Sequence, residues 1–548
     1  MSIDALAERS RLGRKLVARI ALGLATAALG ALMAAPAPAQ EPDAKAAPPA
    51  PGDGAIEALS LHYRFTERYS PTPDPNHPES ITQYQVGVRE TTKTERENPT
   101  GAPTRGEMVR HMMYTERVAK TSRLGDLTDA IRRYDRFFFK DYTAKNEVLP
   151  PSHQGAFQGL TVWLHEQPAQ SLELLNLTPE RPIREFEYAA MIEQPSLPRL
   201  KGLLPPAPSR IGDTWSIPIQ SSVVLLGQPP EAEGYSIEGS LIEVHKAKEG
   251  TNQEAVIGVQ GQFKTLDGPS AINTRITFSF ASPPVKPAGD AAEPPTPRGR
   301  THSGVVEARG QITEVRMARV VTAPVPEGDG RLQQRVFHEL LLGRRPTPVA
   351  AGADPATALI PLPEAQPKPD EANSWILYDD PAGRFHLRHP QNLKLNPGRS
   401  DPADVEFLES HEDHADILGV QLQPKDPSPE RDRLFRDPEY HHRLLLADWA
   451  KKGLEVVKGP FGWLPEAAWT PFKRKVYRIE AALQPQGKDP GSKRVYSDYY
   501  LVLLPANQSI FVTAMTMQDP HVPFRDQAES VIKSFEFGPS RPANARAK

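Results

Sequence analysis

The chain of 548 residues contains no cysteine. That excludes disulfides, thiolate nucleophiles, iron–sulfur clusters and Cys-ligated zinc together. A chain without cross-links must hold each of its domains by burial alone, so each needs a core of its own. Long apolar runs are also scarce. The one that stands out, Ile20 to Ala35, is shorter than the roughly 20 residues a membrane-spanning helix requires. An excess of charge of one sign is lacking too, with 65 Lys and Arg against 68 Asp and Glu. A balanced, slightly acidic surface argues against nucleic acid or an anionic membrane as partner.

What is present begins with an export signal. Arg9, Arg11, Arg14, Lys15 and Arg19 form a basic segment, the short apolar run follows, and Ala37-Pro38-Ala39 is an A-x-A cleavage pattern before Gln40. Residues 1–39 are expected to be removed, leaving no membrane span and a periplasmic or secreted protein. No Cys follows the apolar run, which excludes a lipoprotein, and no Arg-Arg pair precedes it, which disfavours the twin-arginine route. Taking the five basic and two acidic residues of this segment from the totals leaves 60 basic and 66 acidic side chains. Proline, 59 residues, is about twice as frequent as usual. It gathers in Pro36–Pro51, Pro283–Pro297 and Pro346–Pro369, where backbone should be extended and solvated.

Between residues 56 and 344 the pattern alternates apolar and polar, as in Leu59, Leu61, Tyr63 and Phe65. Similar strands are expected at Gln83–Val88, Met108–Val118, Ile131–Phe139 and Leu160–Leu164. Others are expected at Ser222–Leu226, Tyr235–His245, Ala255–Phe263, Ile272–Phe280, Val305–Met317 and Leu332–Leu342. Pro182–Glu193 is the exception and reads as a short helix. Short links between consecutive strands imply an antiparallel meander, since parallel pairing needs a long crossover. So many strands should curve, or close part of a barrel. Two β-rich halves meeting near residues 200–215, with a Pro-rich lead into Gly212-Asp213-Thr214-Trp215, resemble uncharacterised exported β-rich proteins of bacteria. A curved sheet with a helix in its mouth also resembles periplasmic lipid or lipoprotein carriers, which implies an apolar ligand as the alternative partner.

Residues 345–372 are expected to be a Pro-rich linker and 40–55 an Ala/Pro linker, with a disordered tail at 539–548. Residues 373–538 read as strands, a helix from about Pro429 to Gly453, four more strands and a helix opened by Pro523. Tyr499–Leu504 and Ile510–Met517 are apolar on both faces, the mark of strands covered on both sides. In the last helix Phe524, Ala528, Val531, Ile532 and Phe535 share one side. The opening Tyr378-Asp379-Asp380-Pro381-Ala382-Gly383-Arg384-Phe385-His386-Leu387-Arg388-His389-Pro390 and the closing Phe524–Phe535 resemble the fold of PsbP and the Ran-binding Mog proteins. The resemblance implies an antiparallel sheet between helices and an interaction module, and it brings no catalytic or metal-binding residue to this chain.

The densest polar cluster is Glu409-Ser410-His411-Glu412-Asp413-His414-Ala415-Asp416. On a helix, His411 and His414 would share a face and could take Zn²⁺ or another divalent ion. A solvated loop between strands is the preferred reading, so no metal ligand is assigned. His386, between Arg384 and Arg388, reads as surface, and His389 as a half-buried, satisfied residue. His441-His442 point different ways on a helix. His338-Glu339 lacks the second His of a zinc-protease helix, and Gly234–Gly239 lacks the nucleophile-elbow spacing. Gly487–Lys493 reads as a hairpin loop, and Arg132–Lys140 as a strand and not an RNA site.

No reactive constellation has the spacing that chemistry requires. The expectation is therefore an exported, non-enzymatic α+β protein without cofactor. An N-terminal curved antiparallel sheet and a C-terminal sheet flanked by helices would bind another envelope protein.

Overall fold

The computed structural model describes residues 61–538 apart from short internal stretches, the longer being 74–81, 143–147, 150–157, 167–171, 193–199, 282–304, 325–332, 348–358, 397–403, 423–428, 464–474, 486–493 and 504–508. The expected leader and its cleavage point, the expected Ala/Pro linker and the expected tail therefore lie outside the described residues. The described part is built mostly of antiparallel strands with few helices, an α+β arrangement. It divides into two compact units. One contains Asp370 onward together with Glu180–Tyr188, and the other the rest of the described chain up to Pro369.

The larger unit is organised on a sheet of 13 strands. Gln83–Arg96, Thr104–Thr121, Leu127–Tyr142, Thr161–Glu166 and Leu172–Asn176 form one antiparallel series. Ser236–Lys246, Gln253–Thr265, Gly268–Phe280, Val305–Pro324 and Gln333–Pro346 form the second. The two series become one sheet because Gln333–Pro346 pairs with Gln83–Arg96 along its whole length. The path stays open among the described residues, so the meander is found and no closed barrel. Short links explain the antiparallel order; the parallel exception is His62–Glu67, which returns across some 240 residues to pair with Val305–Gly310.

Two elements depart from the expected pattern. Ser222–Leu226 lies in a helix, Ile219–Leu226, with Ser222, Val224, Leu225 and Leu226 buried. The four-residue apolar run Val223–Leu226 fits a buried helix as well as a strand, so periodicity could not separate them. Within the Pro-rich stretch, Leu359 and Ile360 are buried. Ile360 packs with Ile131, Trp163 and Leu175. Its backbone N–H donates to Gln83 Oε1 at 2.8 Å, and its carbonyl accepts from the Arg117 guanidinium. Extended backbone can thus be pinned wherever two apolar residues interrupt the prolines.

The smaller unit carries a sheet of eight strands. Its apolar strands Val495–Leu503 and Ser509–Thr516 are central and covered on both sides, as their composition requires. On one face Phe385, Phe407 and Phe535 are fully buried, together with Phe524, Ala528, Val531 and Ile532 of the helix Val522–Lys533. Each such large side chain contributes about 1.5–3 kcal/mol by burial. On the other face Trp449 of the helix Pro438–Lys451 packs on Tyr477, Ile479, Leu483 and Leu501. Leu444 of that helix is exposed.

A second, four-stranded sheet begins with the hairpin Trp375–Asp379 and Phe385–Pro390. Gly383, at φ +66°, allows the left-handed turn. Asp380 locks it by accepting from the Arg384 guanidinium at 2.8 and 2.6 Å and from the Arg384 backbone N–H at 3.1 Å. Burial raises the Asp380 carboxyl, but these bonds and the Arg384 charge outweigh it and hold it below the ordinary value.

Two stability predictions follow from these contacts. A side chain at Gly310 would bring its Cβ to 2.0 Å from the Ser279 carbonyl oxygen, which is backbone and cannot swing aside. Gly310→Ala should therefore lower unfolding free energy by about 1–3 kcal/mol in urea titrations. The stability that Asp380 supplies is fully present above about pH 4, where Asp ionises in an unfolded chain, and is lost as pH falls through the lowered native value. Asp380→Asn should flatten the acid limb of the unfolding midpoint against pH while leaving its shape at higher pH.

Candidate functional site

Four polar clusters are candidates. The first stands at the turn between Asp404–Ser410 and Ala415–Leu422, where the register pairs Ser410 with Ala415 and Glu409 with Asp416. His411 and His414 belong to this turn and not to a helix; the His411 N–H donates to the His414 carbonyl at 2.9 Å. Their rings stack at 4.4 Å with 20° between planes. Asp416, 1% exposed, faces both, with Oδ2 3.1 Å from His411 Nε2 and Oδ1 3.6 Å from His414 Nε2. Gln518, just beyond the neighbouring strand Ser509–Thr516, donates from Nε2 to Asp416 Oδ2 at 2.9 Å. The two histidines and the aspartate offer ligand atoms that all lie within 4.8 Å of one another. The sequence pointed to the histidines; the inward turn of Asp416 and the arrival of Gln518 depend on strand pairing.

The second cluster surrounds His389, which is fully buried and not half-buried. Its Nε2 lies 2.8 Å from Glu185 Oε2, and its ring lies 4.5 Å from that of Phe407. Glu185 comes from the mid-chain segment: Ile183–Arg184 adds a parallel strand beside Trp375–Asp379, pairing Ile183 with Ile376 and Arg184 with Leu377. Arg184 also lies 3.4 Å from Asp379. His386 differs from a free surface residue as well. Its Nδ1 is 2.9 Å from the Gly538 carbonyl oxygen and its Nε2 is 3.4 Å from Glu536, held by the closing strand Glu536–Phe537.

A third cluster lies under the helix Val522–Lys533. Arg525 meets Asp498 at 3.0 Å and Glu480 at 2.7 Å, and Arg478 meets Glu529 at 3.2 Å. Burial raises Glu480, but hydrogen bonding and charge from Arg525 bring it below its ordinary value, whereas burial leaves Asp498 raised. His521 stacks on Tyr496 with ring centres 4.3 Å apart. These pairs tie helix to sheet.

The fourth is buried in the large unit. The register sets Tyr84 opposite Glu116 and Glu116 opposite Arg132, one row on one sheet face. The Tyr84 hydroxyl donates to Glu116 Oε1, and Arg132 Nε donates to Glu116 Oε2. The Arg132 guanidinium lies 4.6 Å over the Tyr114 ring. Beside this row Arg344 donates to the Ile312 carbonyl at 3.0 Å and to Tyr69 at 3.1 Å, while Glu67 accepts from Tyr69 at 2.8 Å. Burial pushes the Glu67 carboxyl up against the pull of Arg344, and pushes Tyr84 well above its ordinary range. The two guanidiniums thus stand against two buried carboxylates, Arg132 against Glu116 and Arg344 against Glu67. The alternation of Arg132–Lys140 fits a sheet strand, with Arg132 and Tyr134 buried and Arg133 and Asp135 exposed.

The remaining sequence candidates do not assemble a site. His338 sits on the strand Gln333–Pro346, 3.2 Å from Glu90, and Gly234 occupies a turn at φ +76°. His442 is partly buried, which lowers its pKa. The Gly487–Lys493 loop lies outside the described residues, as do the side chain of His441 and residues Glu412 and Asp413. Among the described residues no helix is long and apolar enough to cross a membrane.

No protein-family model and no curated protein matches this chain. Among solved structures, the resemblance to PsbP is found. The cyanobacterial PsbP of Synechocystis is 15% identical, with 30% of this chain and 92% of that chain covered and a TM-score of 0.22. Lipovitellin is matched at 10% identity over 50% of this chain and 26% of its own, with a TM-score of 0.25. A LolA-superfamily protein of Nitrosomonas europaea is matched at 8% identity over 49% and 88%, with a TM-score of 0.12.

The buried row gives a measurable expectation. Arg132→Met leaves the Glu116 charge buried beside Tyr84 and should cost about 3–5 kcal/mol. Arg132→Met combined with Glu116→Gln should cost clearly less than the two single losses added together, because they are coupled through one contact. Urea unfolding of the three variants measures this.

Proposed function

We propose that the chain is an exported, non-enzymatic protein of a bacterial envelope that works as a binding or assembly-support module for another envelope protein. The observation that carries the proposal is the way the smaller unit is completed. Its four-stranded sheet takes a two-residue strand, Ile183–Arg184, from a segment remote in sequence. Strand addition to a sheet edge is a recurring mode of peptide recognition, with backbone bonds giving affinity and flanking side chains giving selection. Within this chain Arg184 and Glu185 flank the added strand and meet Asp379 and His389, so this sheet already accepts a strand together with its flanking charges. The export signal and the thiol-free composition agree with work outside the cytoplasm. The polar clusters serve as ties between elements: helix to sheet at Arg525, strand to strand at Arg132 and Arg344. None presents a nucleophile beside a base.

The test uses the full exported chain, cross-linked in envelope extract beside a denatured control. One envelope protein should be recovered at near-equal amount, with cross-links to residues within 370–538. Recovery no better than the control overturns the proposal. A lipid carried by the purified chain in native mass spectrometry would favour the alternative, a carrier of an apolar ligand in the large sheet.

A further inference from the structure

We infer that the corner formed by His411, His414 and Asp416 is a binding site for a divalent transition metal of the zinc class. The inference is independent of the partner proposed above.

The strand pairing brings two imidazoles and one carboxylate to one end of the eight-stranded sheet. Without cysteine anywhere in the chain, a metal must be held by nitrogen and oxygen. Imidazole with carboxylate suits Zn²⁺, Cu²⁺, Ni²⁺ or Co²⁺, whereas Ca²⁺ and Mg²⁺ call for oxygen ligands throughout. Zinc bonds of roughly 2.0–2.2 Å place the donors of a tetrahedral site about 3.2–3.6 Å apart. The contacts of 3.1 Å for His411 Nε2 and 3.6 Å for His414 Nε2 to the Asp416 oxygens stand at about that spacing.

The aspartate supplies the second observation. Asp416 is 1% exposed, and its Oδ1 is buried without a hydrogen-bond partner while Oδ2 is held by Gln518. A buried carboxylate oxygen left without a donor is costly. The hydrogen bond from Gln518 fixes the plane of the carboxylate, as the outer partners of metal-bound carboxylates do. A dication held by the three groups would give that buried carboxylate oxygen a partner. The side chain of His411 is 27% exposed and that of His414 is 11% exposed, which leaves water a path to a fourth position.

The full chain, stripped with a chelator, is titrated with zinc chloride by calorimetry and with Co²⁺ by visible absorption. One equivalent of zinc should bind, and cobalt should give the intense absorption of a four- or five-coordinate ion. Binding should weaken as pH falls, because imidazole ligates only when neutral. His411→Ala with His414→Ala should abolish the equivalent. Gln518→Ala, which keeps all three ligands, should weaken it about 10–100-fold. Absence of heat above buffer overturns the inference. So does one equivalent that persists in the double variant but disappears from His441→Ala with His442→Ala. Should the double variant lose its native circular dichroism, histidine ring-proton NMR of the unaltered chain decides. Zinc should shift two imidazoles whose signals show mutual proximity, and unshifted signals overturn the site.

Discussion

Arg344 lies on the strand that closes the large sheet, with its guanidinium fully buried between Glu67, Tyr69 and Tyr84. A buried guanidinium has to be matched by acceptors or it is expelled. The acceptors come from the first strand, from the residues just after it and from Ile312 on Val305–Pro324. Satisfying one charge therefore brings residues 62–69 against residues 305–346. The same strand sets Arg344 opposite Val86, and a slip of one residue would send the guanidinium to the other face. Glu116 and Arg132 stand in the adjoining row, so two carboxylates and two guanidiniums balance within the core. The continuity of the two β-rich series into one sheet and this charge balance are one constraint seen twice.

The smaller unit is governed by a different condition. Its central strands are apolar on both faces, so both faces must be covered, and two helices do so. Val522–Lys533 covers one with Phe524 and Ile532, and Pro438–Lys451 covers the other with Trp449. The hairpin of Trp375–Asp379 and Phe385–Pro390 extends this core through Phe385 and leaves an edge, which Ile183–Arg184 occupies. His389 is buried at that junction and meets Glu185.

Much of the fold is legible from local pattern. Alternation announces Gln83–Arg96, Gly268–Phe280 and Gln333–Pro346, although the strands extend beyond the expected limits because charged and polar residues such as Glu90 and Arg345 also pair. The helical spacing of Phe524, Ala528, Val531 and Ile532 corresponds to the buried face found. Ser222–Leu226 misled because a short apolar run carries no period. Leu172–Asn176 was missed because Leu-Glu-Leu-Leu-Asn is too short to show alternation.

The sequence alone determined where most of the long strands and the closing helix lie, which of their faces are apolar, and that no thiol chemistry is available, since these depend on neighbours along the chain and on composition. Tertiary structure decided which remote strands meet, that Arg132, Arg344 and His389 are buried beside carboxylates, and that Asp416 turns inward beneath two stacked imidazoles. Those facts depend on pairing across tens to hundreds of residues. A period of two specifies the face on which a side chain lies, but not the strand that will lie beside it.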